Sequence, residues 1–217
     1  KYGVPHYLDY RRMLDAHPET DVISVLTPSG YHREHVVDVA HYGKHIVVEK
    51  PMALRVEDCD AMMNACAKAG GRLFVVKQNR FNRAVVAARE AFEAGRFGKM
   101  VMGTTCVRCR RDQHYYEQAD WRGTWALDGG VIAQQATHHL DLLQWFMGAV
   151  ESVQCQIATR LMDIEVEDTG VAIMRFKSGA LGVFEATVAT RPEDLCGNLS
   201  LLGERGTIVI GGVAVNK

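Results

Sequence analysis

The sequence predicts two domains of different class: an α/β domain on a parallel sheet, then an α+β domain with a large open, mainly antiparallel sheet. Three observations predict this. Up to residue 76, short apolar runs rich in Val and Ile alternate with helical patterns, as in parallel strands covered by helices. Beyond Gln78 the pattern changes to long strand-like runs joined by glycine turns, an antiparallel meander. The chain has 217 residues, 47% hydrophobic and 24% charged, enough to build two cores in a globular protein. The domains are read as 1–78 and 79–217.

Taken in order, residues 8–16 read as a short amphipathic helix and residues 21–26 as a buried strand. That strand ends at Thr27-Pro28-Ser29-Gly30, with Ser29 a candidate cap for a helix over 31–41. Gly43 is placed to end that helix. Ile46-Val47-Val48 reads as a fully covered parallel strand. A helix over 56–69 and a strand over 72–76 continue the alternation, giving the latter part of a Rossmann-like domain. The dinucleotide fingerprint G-x-G-x-x-G does not occur. The expectation is that roughly sixty residues, two β-α units of about thirty each, precede Lys1 in the full-length protein.

In the second domain a helix is read over 82–94, closed by Gly95. Strands are read over 100–110, 150–160, 170–176, 180–190, 198–202 and 207–210. Lys177-Ser178-Gly179 and Gly203-Glu204-Arg205-Gly206 are hairpin turns. One helix, about 130 to 146, interrupts the strands and stops at Gly148. The last seven residues break off in mid-pattern, so a further C-terminal segment is expected as well.

Charge and cysteine content exclude several classes. The net charge is −1 and no basic stripe appears, which argues against a nucleic-acid partner. No apolar run approaches the roughly 18 residues of a membrane span, and no signal peptide is read. Six cysteines in a chain this long show no disulfide framework, so the thiols are read as reduced and the protein as cytoplasmic. Cys106 and Cys109 form a C-x-x-C pair inside a predicted strand. Residues three apart there face opposite sides, and no second pair accompanies them, so neither a zinc nor a redox role is assigned. Arg108, Arg110 and Arg111 make a basic cluster that suits either a phosphate or carboxylate ligand or a solvated edge.

The residues with chemistry in them gather at two places. Glu49 and Lys50 stand at the carboxyl end of the Ile46-Val47-Val48 strand, where open α/β sheets hold their ligands. Pro51 biases Lys50 toward an extended backbone. Thr27 and Pro28 end the preceding strand. In the second domain Gln134 and His138 are four apart, hence on one face of the predicted helix. His139, next to His138, points about 100° away. His32 and His35 have no third ligand in view and are read as non-metal residues.

These stretches also carry a resemblance. Residues 42–51, YGKHIVVEKP, resemble the AGKHVxxEKP motif of the Gfo/Idh/MocA family (glucose-fructose oxidoreductase, inositol dehydrogenase, rhizopine catabolism). Residues 128–141, DGGVIAQQATHHLD, resemble its G-G-G-x-L-x-D-x-x-x-H-x-x-D stretch. The resemblance runs from near residue 1 to the end. It implies an NAD(P)-dependent oxidoreductase that moves a hydride between a secondary hydroxyl of a sugar or nucleotide sugar and nicotinamide. Lys50 and His138 take the catalytic positions, with His138 as base and Lys50 stabilising charge on the oxygen. Thr27, Pro28, His32, Glu49, Lys50, Asn79 and Arg122 would hold NAD or NADP. Lys50, Arg122, Gln134 and His138 would meet substrate, and no metal is implied. Gln134 departs from the pattern, which has an Asp there; a glutamine can hydrogen-bond substrate but cannot act as a base. The family associates through the open sheet, so a homodimer or homotetramer is expected. An NAD-dependent glycosidase of the same fold, or a non-catalytic relative, are the alternatives.

Overall fold

A computed structural model describes residues 3–217, and the chain divides into two compact units, Lys1–Val76 and Lys77–Lys217. In the first, α1 (Tyr10–Ala16) begins after Asp9, whose carboxylate accepts from the Arg11 backbone N–H at 2.9 Å. The cap sets the start two residues later than the predicted 8–16, so Leu8 is left exposed outside the helix. Three short strands follow, β1 (Val22–Val25), β2 (His45–Val48) and β3 (Leu73–Val75). They form a parallel sheet in the order β1-β2-β3. The register pairs Val25 with Val48 and Val48 with Val75, so all three strands end level. Helices α2 (His32–Ala40) and α3 (Val56–Lys68) cover the sheet, sealing Ile46 and Val48 of the middle strand against Val36 and Met62. Each such side chain contributes about 1.5–3 kcal/mol by leaving water. The strand that presents Glu49 and Lys50 is therefore the best anchored in this unit.

Ser29 does not cap α2. It is buried in a 3₁₀ turn, Ser29–Tyr31, that leads straight into the helix, and the cap position falls to Tyr31 without a side-chain bond.

The second unit opens with a 3₁₀ turn (Gln78–Phe81) and α4 (Arg83–Glu93), followed by β4 (Met100–Arg108). Next come α5 (Gln113–Glu117), α6 (Val131–Gln134) and α7 (Thr137–Met147). Strands β5 (Val150–Ala158), β6 (Thr169–Phe176), β7 (Leu181–Thr187), β8 (Cys196–Gly203) and β9 (Thr207–Ile210) complete it. The sheet order is β5-β6-β7-β4-β8-β9. The β4–β7 pair is parallel and the other neighbours are antiparallel, so the sheet is open and mainly antiparallel. Gly179 makes the β6–β7 turn with φ +86°, open to glycine at no steric cost. One sheet face packs Val107, Phe176, Phe184, Leu199 and Leu201 into a core with Leu142, Leu143 and Phe146 of α7.

Two local readings need correction. The short helix α5 was not foreseen; Asp112 nucleates it by accepting from the Tyr115 backbone N–H at 3.0 Å. The single helix expected over 130–146 is two. Ala136 N–H reaches back five residues to the Val131 carbonyl, and a fresh α-helical ladder starts with Leu140 N–H on Ala136 O. Glu167 holds the first piece, its backbone oxygen accepting from Val131 N–H at 3.0 Å and its carboxylate from Ile132 N–H at 3.1 Å. Gly130 is required there, since a Cβ would lie 1.9 Å from the Glu167 carboxyl.

Candidate functional site

In the first unit the loops after β1 and β2 are stitched together by His32. Its ring is fully buried, with Nδ1 2.9 Å from the Pro51 carbonyl and Nε2 2.8 Å from the Thr27 carbonyl. Whichever nitrogen carries the proton finds an acceptor. His32 thus ties the two loops together. Most buried polar groups find a hydrogen-bond partner in this way. The side-chain hydroxyl of Thr27 meets His35 Nδ1 at 2.9 Å, and Pro28 precedes the 3₁₀ turn. The Glu49 carboxylate accepts from the Lys50 backbone N–H at 3.0 Å, so the acid shapes the turn that presents the lysine. Both side chains are half-buried, and the Lys50–Pro51 peptide is cis.

In the second unit a compact polar cluster joins the 3₁₀ turn to the start of α7. The Gln78 amide nitrogen donates to His138 Nε2 at 3.1 Å, which leaves the ring proton on Nδ1. Lys77 Nζ donates to Thr137 Oγ1 at 3.2 Å and lies 4.0 Å from Asp141. Burial pulls the Lys77 ammonium below the ordinary lysine value, with Asp141 drawing it partly back. Arg80 grips Asp141 through two bonds, 2.7 and 2.8 Å, and stacks on the Trp145 ring at 4.7 Å. The bidentate fork fixes both groups. Asn79 is buried in the same turn. Sequence reasoning missed Lys77 and Thr137 as members of this cluster; no local motif marks them, since their partners are 60 residues away.

Gln134 and His138 do not share a continuous helix face, because the helix restarts between them. The Gln134 amide donates to the Asp128 carbonyl at 2.6 Å, closing its own loop. Arg122 is held by its own segment too. Its guanidinium donates to the Tyr115 carbonyl at 2.7 Å and to Gln118 at 2.8 Å, and lies over the Tyr115 ring at 4.2 Å. The arginine cluster is likewise paired, Arg108 with Glu185, Arg110 with Asp112 and Arg111 with Asp194. No cluster of metal-ligating side chains occurs among the described residues.

His139, beside His138, has the opposite character. It is 4% exposed and its ring faces the Gly197 backbone, where a Cβ would lie 2.6 Å from Nε2. Neither ring nitrogen makes a well-formed hydrogen bond among the described residues. Burial pushes this imidazole down to about 4, with the Gly197 backbone opposing only weakly.

Comparison with known proteins gives both units relatives. Residues 1–77 match the family described as "Oxidoreductase family, NAD-binding Rossmann fold", and residues 85–209 match the GFO/IDH/MocA C-terminal domain. A WlbA dehydrogenase from Bordetella pertussis, solved in complex with NADH and UDP-GlcNAcA, is 47% identical at a TM-score of 0.95. The match covers 99% of this chain and 62% of that one. The Chromobacterium violaceum WlbA, solved with the same two ligands, is 44% identical with a TM-score of 0.89, covering 94% of this chain and 60% of that one. Myo-inositol 2-dehydrogenase of Thermotoga maritima is 31% identical over 85% of this chain and 55% of its own length. The chain thus spans about half the length of the curated relatives it matches, 48% of the Comamonas testosteroni 1-carboxy-3-chloro-3,4-dihydroxycyclohexa-1,5-diene dehydrogenase in one case.

Proposed function

The chain belongs to the Gfo/Idh/MocA oxidoreductase family, and on that footing we propose that the full-length protein is an NAD(P)-dependent dehydrogenase. Its substrate is a sugar or nucleotide sugar with a secondary ring hydroxyl. The observation that carries this is the 47% identity, over nearly the whole chain, to a dehydrogenase solved with NADH and UDP-GlcNAcA. UDP-GlcNAcA is therefore the first substrate to test.

The donor set in the first unit fits a nicotinamide dinucleotide. Thr27, Pro28, Glu49 and Lys50 stand just beyond the carboxyl ends of adjacent parallel strands, the ligand-binding end of such sheets. When bound, the dinucleotide supplies the hydride acceptor or donor. The chain's own residues do the rest. His138 takes the hydroxyl proton at Nε2 once the substrate hydroxyl displaces the Gln78 amide that holds this nitrogen. Lys50 offers positive charge to the oxygen as negative charge develops there. Glu49 fixes the backbone from which Lys50 projects. Gln134 serves as a hydrogen-bonding group toward substrate, while Asn79 and Arg122 support the walls of the site.

The same reading includes self-association and a cytoplasmic setting. Val171, Ile173, Leu181 and Leu202 are exposed on the outer face of the β5–β9 sheet. The register sets Ile173 beside Val183, and Leu181 and Leu202 on either side of Met102, and apolar patches of this kind mark interaction surfaces. No helix among the described residues is long and apolar enough to cross a membrane.

The test is to purify the full-length protein, identify released dinucleotide, and follow absorbance of the reduced nicotinamide with UDP-GlcNAcA and a panel of neutral sugars. Net reduction that disappears in His138→Asn supports the proposal. Glycoside cleavage without net reduction, or no dinucleotide and no turnover, overturns it.

A further inference from the structure

Strands β4 and β8 bring two thiols together. The register sets Cys106 opposite Asn198 and Arg108 opposite Cys196, so the cysteines are diagonal neighbours on the outer face of the sheet. Their sulfurs are 3.5 Å apart, in van der Waals contact, and Cys106 Sγ lies 3.0 Å from Asn198 Oδ1. Both side chains are half-buried and neither is in a disulfide. Arg108 stands beside both sulfurs and pairs with Glu185, the partner of Cys106 on β7. The pair thus sits at the polar rim, four residues along β4 from Met102 in the apolar patch.

From this contact we infer that Cys106 and Cys196 form a reversible thiol–disulfide site, oxidised by a low-molecular-weight disulfide such as oxidised glutathione. Burial, then the neighbouring Cys196 thiol, pushes Cys106 up to about 11, and the Glu185 carboxylate raises the thiol more than Arg108 lowers it, so Cys106 is a poor first nucleophile. The Cys196 thiolate attacks the oxidant: a bond forms between its sulfur and one glutathione sulfur, and the other leaves as a thiolate. Cys106 then attacks the Cys196 sulfur of that mixed disulfide. The second glutathione leaves and takes up the proton lost from Cys106. Two protein thiols are oxidised and one glutathione disulfide is reduced to two thiols. The sulfurs already touch at 3.5 Å, but diagonal neighbours on a sheet are about 7–8 Å apart, wider than a relaxed disulfide, so bond formation requires β4 and β8 to shift locally toward each other.

This inference is independent of the dehydrogenase reading. The test is to hold the native full-length protein in glutathione buffers of increasing oxidation, quench in acid, alkylate and map peptides without reduction. The expected result is a peptide joining Cys106 to Cys196, two hydrogens lighter than the pair of thiols and reversed by dithiothreitol. Cys155, which is exposed on β5, serves as the internal control for oxidant exposure. In Cys106→Ser, Cys196 should stop as the glutathione mixed disulfide. If Cys155 is glutathionylated while Cys106 and Cys196 both remain alkylatable, the inference is wrong. It is equally wrong if wild-type Cys196 accumulates only as the mixed disulfide.

Discussion

Replacing His139 by leucine should flatten the acid side of the stability curve while leaving turnover at neutral pH intact. The imidazole is sealed in the core beside Gly197 and titrates near 4 in the folded chain, against an ordinary value of 6.5. Its folded-state value is depressed, so the unfolded chain binds the extra proton first. Stability is then fully present above pH 6.5 and falls as pH drops toward 4. The difference of the two values corresponds to about 3 kcal/mol lost across that window, of which about 2 kcal/mol is gone at pH 5. Urea unfolding of wild type and His139→Leu between pH 7.5 and 4 measures this. Carboxylates that titrate near pH 4 contribute equally to both proteins and cancel in the difference. The leucine protein carries a pH-independent packing change, so its gap from wild type should move in its favour by about 2 kcal/mol between pH 7.5 and 5. Parallel curves would refute the assignment of His139 as a buried neutral histidine. Turnover separates the two adjacent histidines, because His138→Asn should lose it while His139→Leu keeps it.

Three further outcomes follow from the proposed roles and the polar cluster of the second unit. Lys50→Met should lower kcat by about 10²–10³-fold with KM little changed, as expected for charge stabilisation felt mainly in the transition state; unchanged kcat would refute a catalytic Lys50. Gln78→Glu places a carboxylate against His138 Nε2, so the acid limb of the kcat/KM profile should move up by about one pH unit. Gln78→Leu should move it less, and identical profiles for all three proteins would show that Gln78 does not address His138. Arg80→Met leaves Asp141 with Lys77 alone and should cost about 2 kcal/mol in urea unfolding. Arg80→Lys should not restore it, since an ammonium cannot reproduce the two-bond fork.

The parts of this protein that could be read from sequence are those whose cause is local. Ile46, Val47 and Val48 announce a covered strand, and Glu49, Lys50 and Pro51 follow it without a gap, so the ligand end of the first sheet was visible residue by residue. The mainly antiparallel second sheet was visible for the same reason, since Gly179 and the 203–206 turn sit beside the strands they join. What escaped depends on partners far along the chain. The 3₁₀ turn before α4 and the start of α7 meet through Lys77–Thr137, Gln78–His138 and Arg80–Asp141, each about sixty positions apart. Spacing alone cannot report such pairs. His32 and Arg122 are assigned to the ligand from the resemblance alone, and the bonds each makes within its own unit, to the Thr27 and Pro51 carbonyls and over the Tyr115 ring, are not legible from spacing.

Gln134 shows why the difference matters for chemistry. Counting four residues to His138 assumed an unbroken helix, and Glu167, 35 positions on from Ile132, holds the short helix that ends before it. With its amide on the Asp128 carbonyl, Gln134 uses a donor that an aspartate in the same place would not have. A carboxylate there would face a backbone oxygen instead and would be repelled from it. The glutamine is therefore matched to the loop that carries it. Gln134→Asp, measured by both turnover and urea unfolding, should cost stability before it alters the pH profile of His138. An aspartate that left stability untouched and raised turnover would mean that the loop tolerates an acid, and that the glutamine was limiting the base beside it.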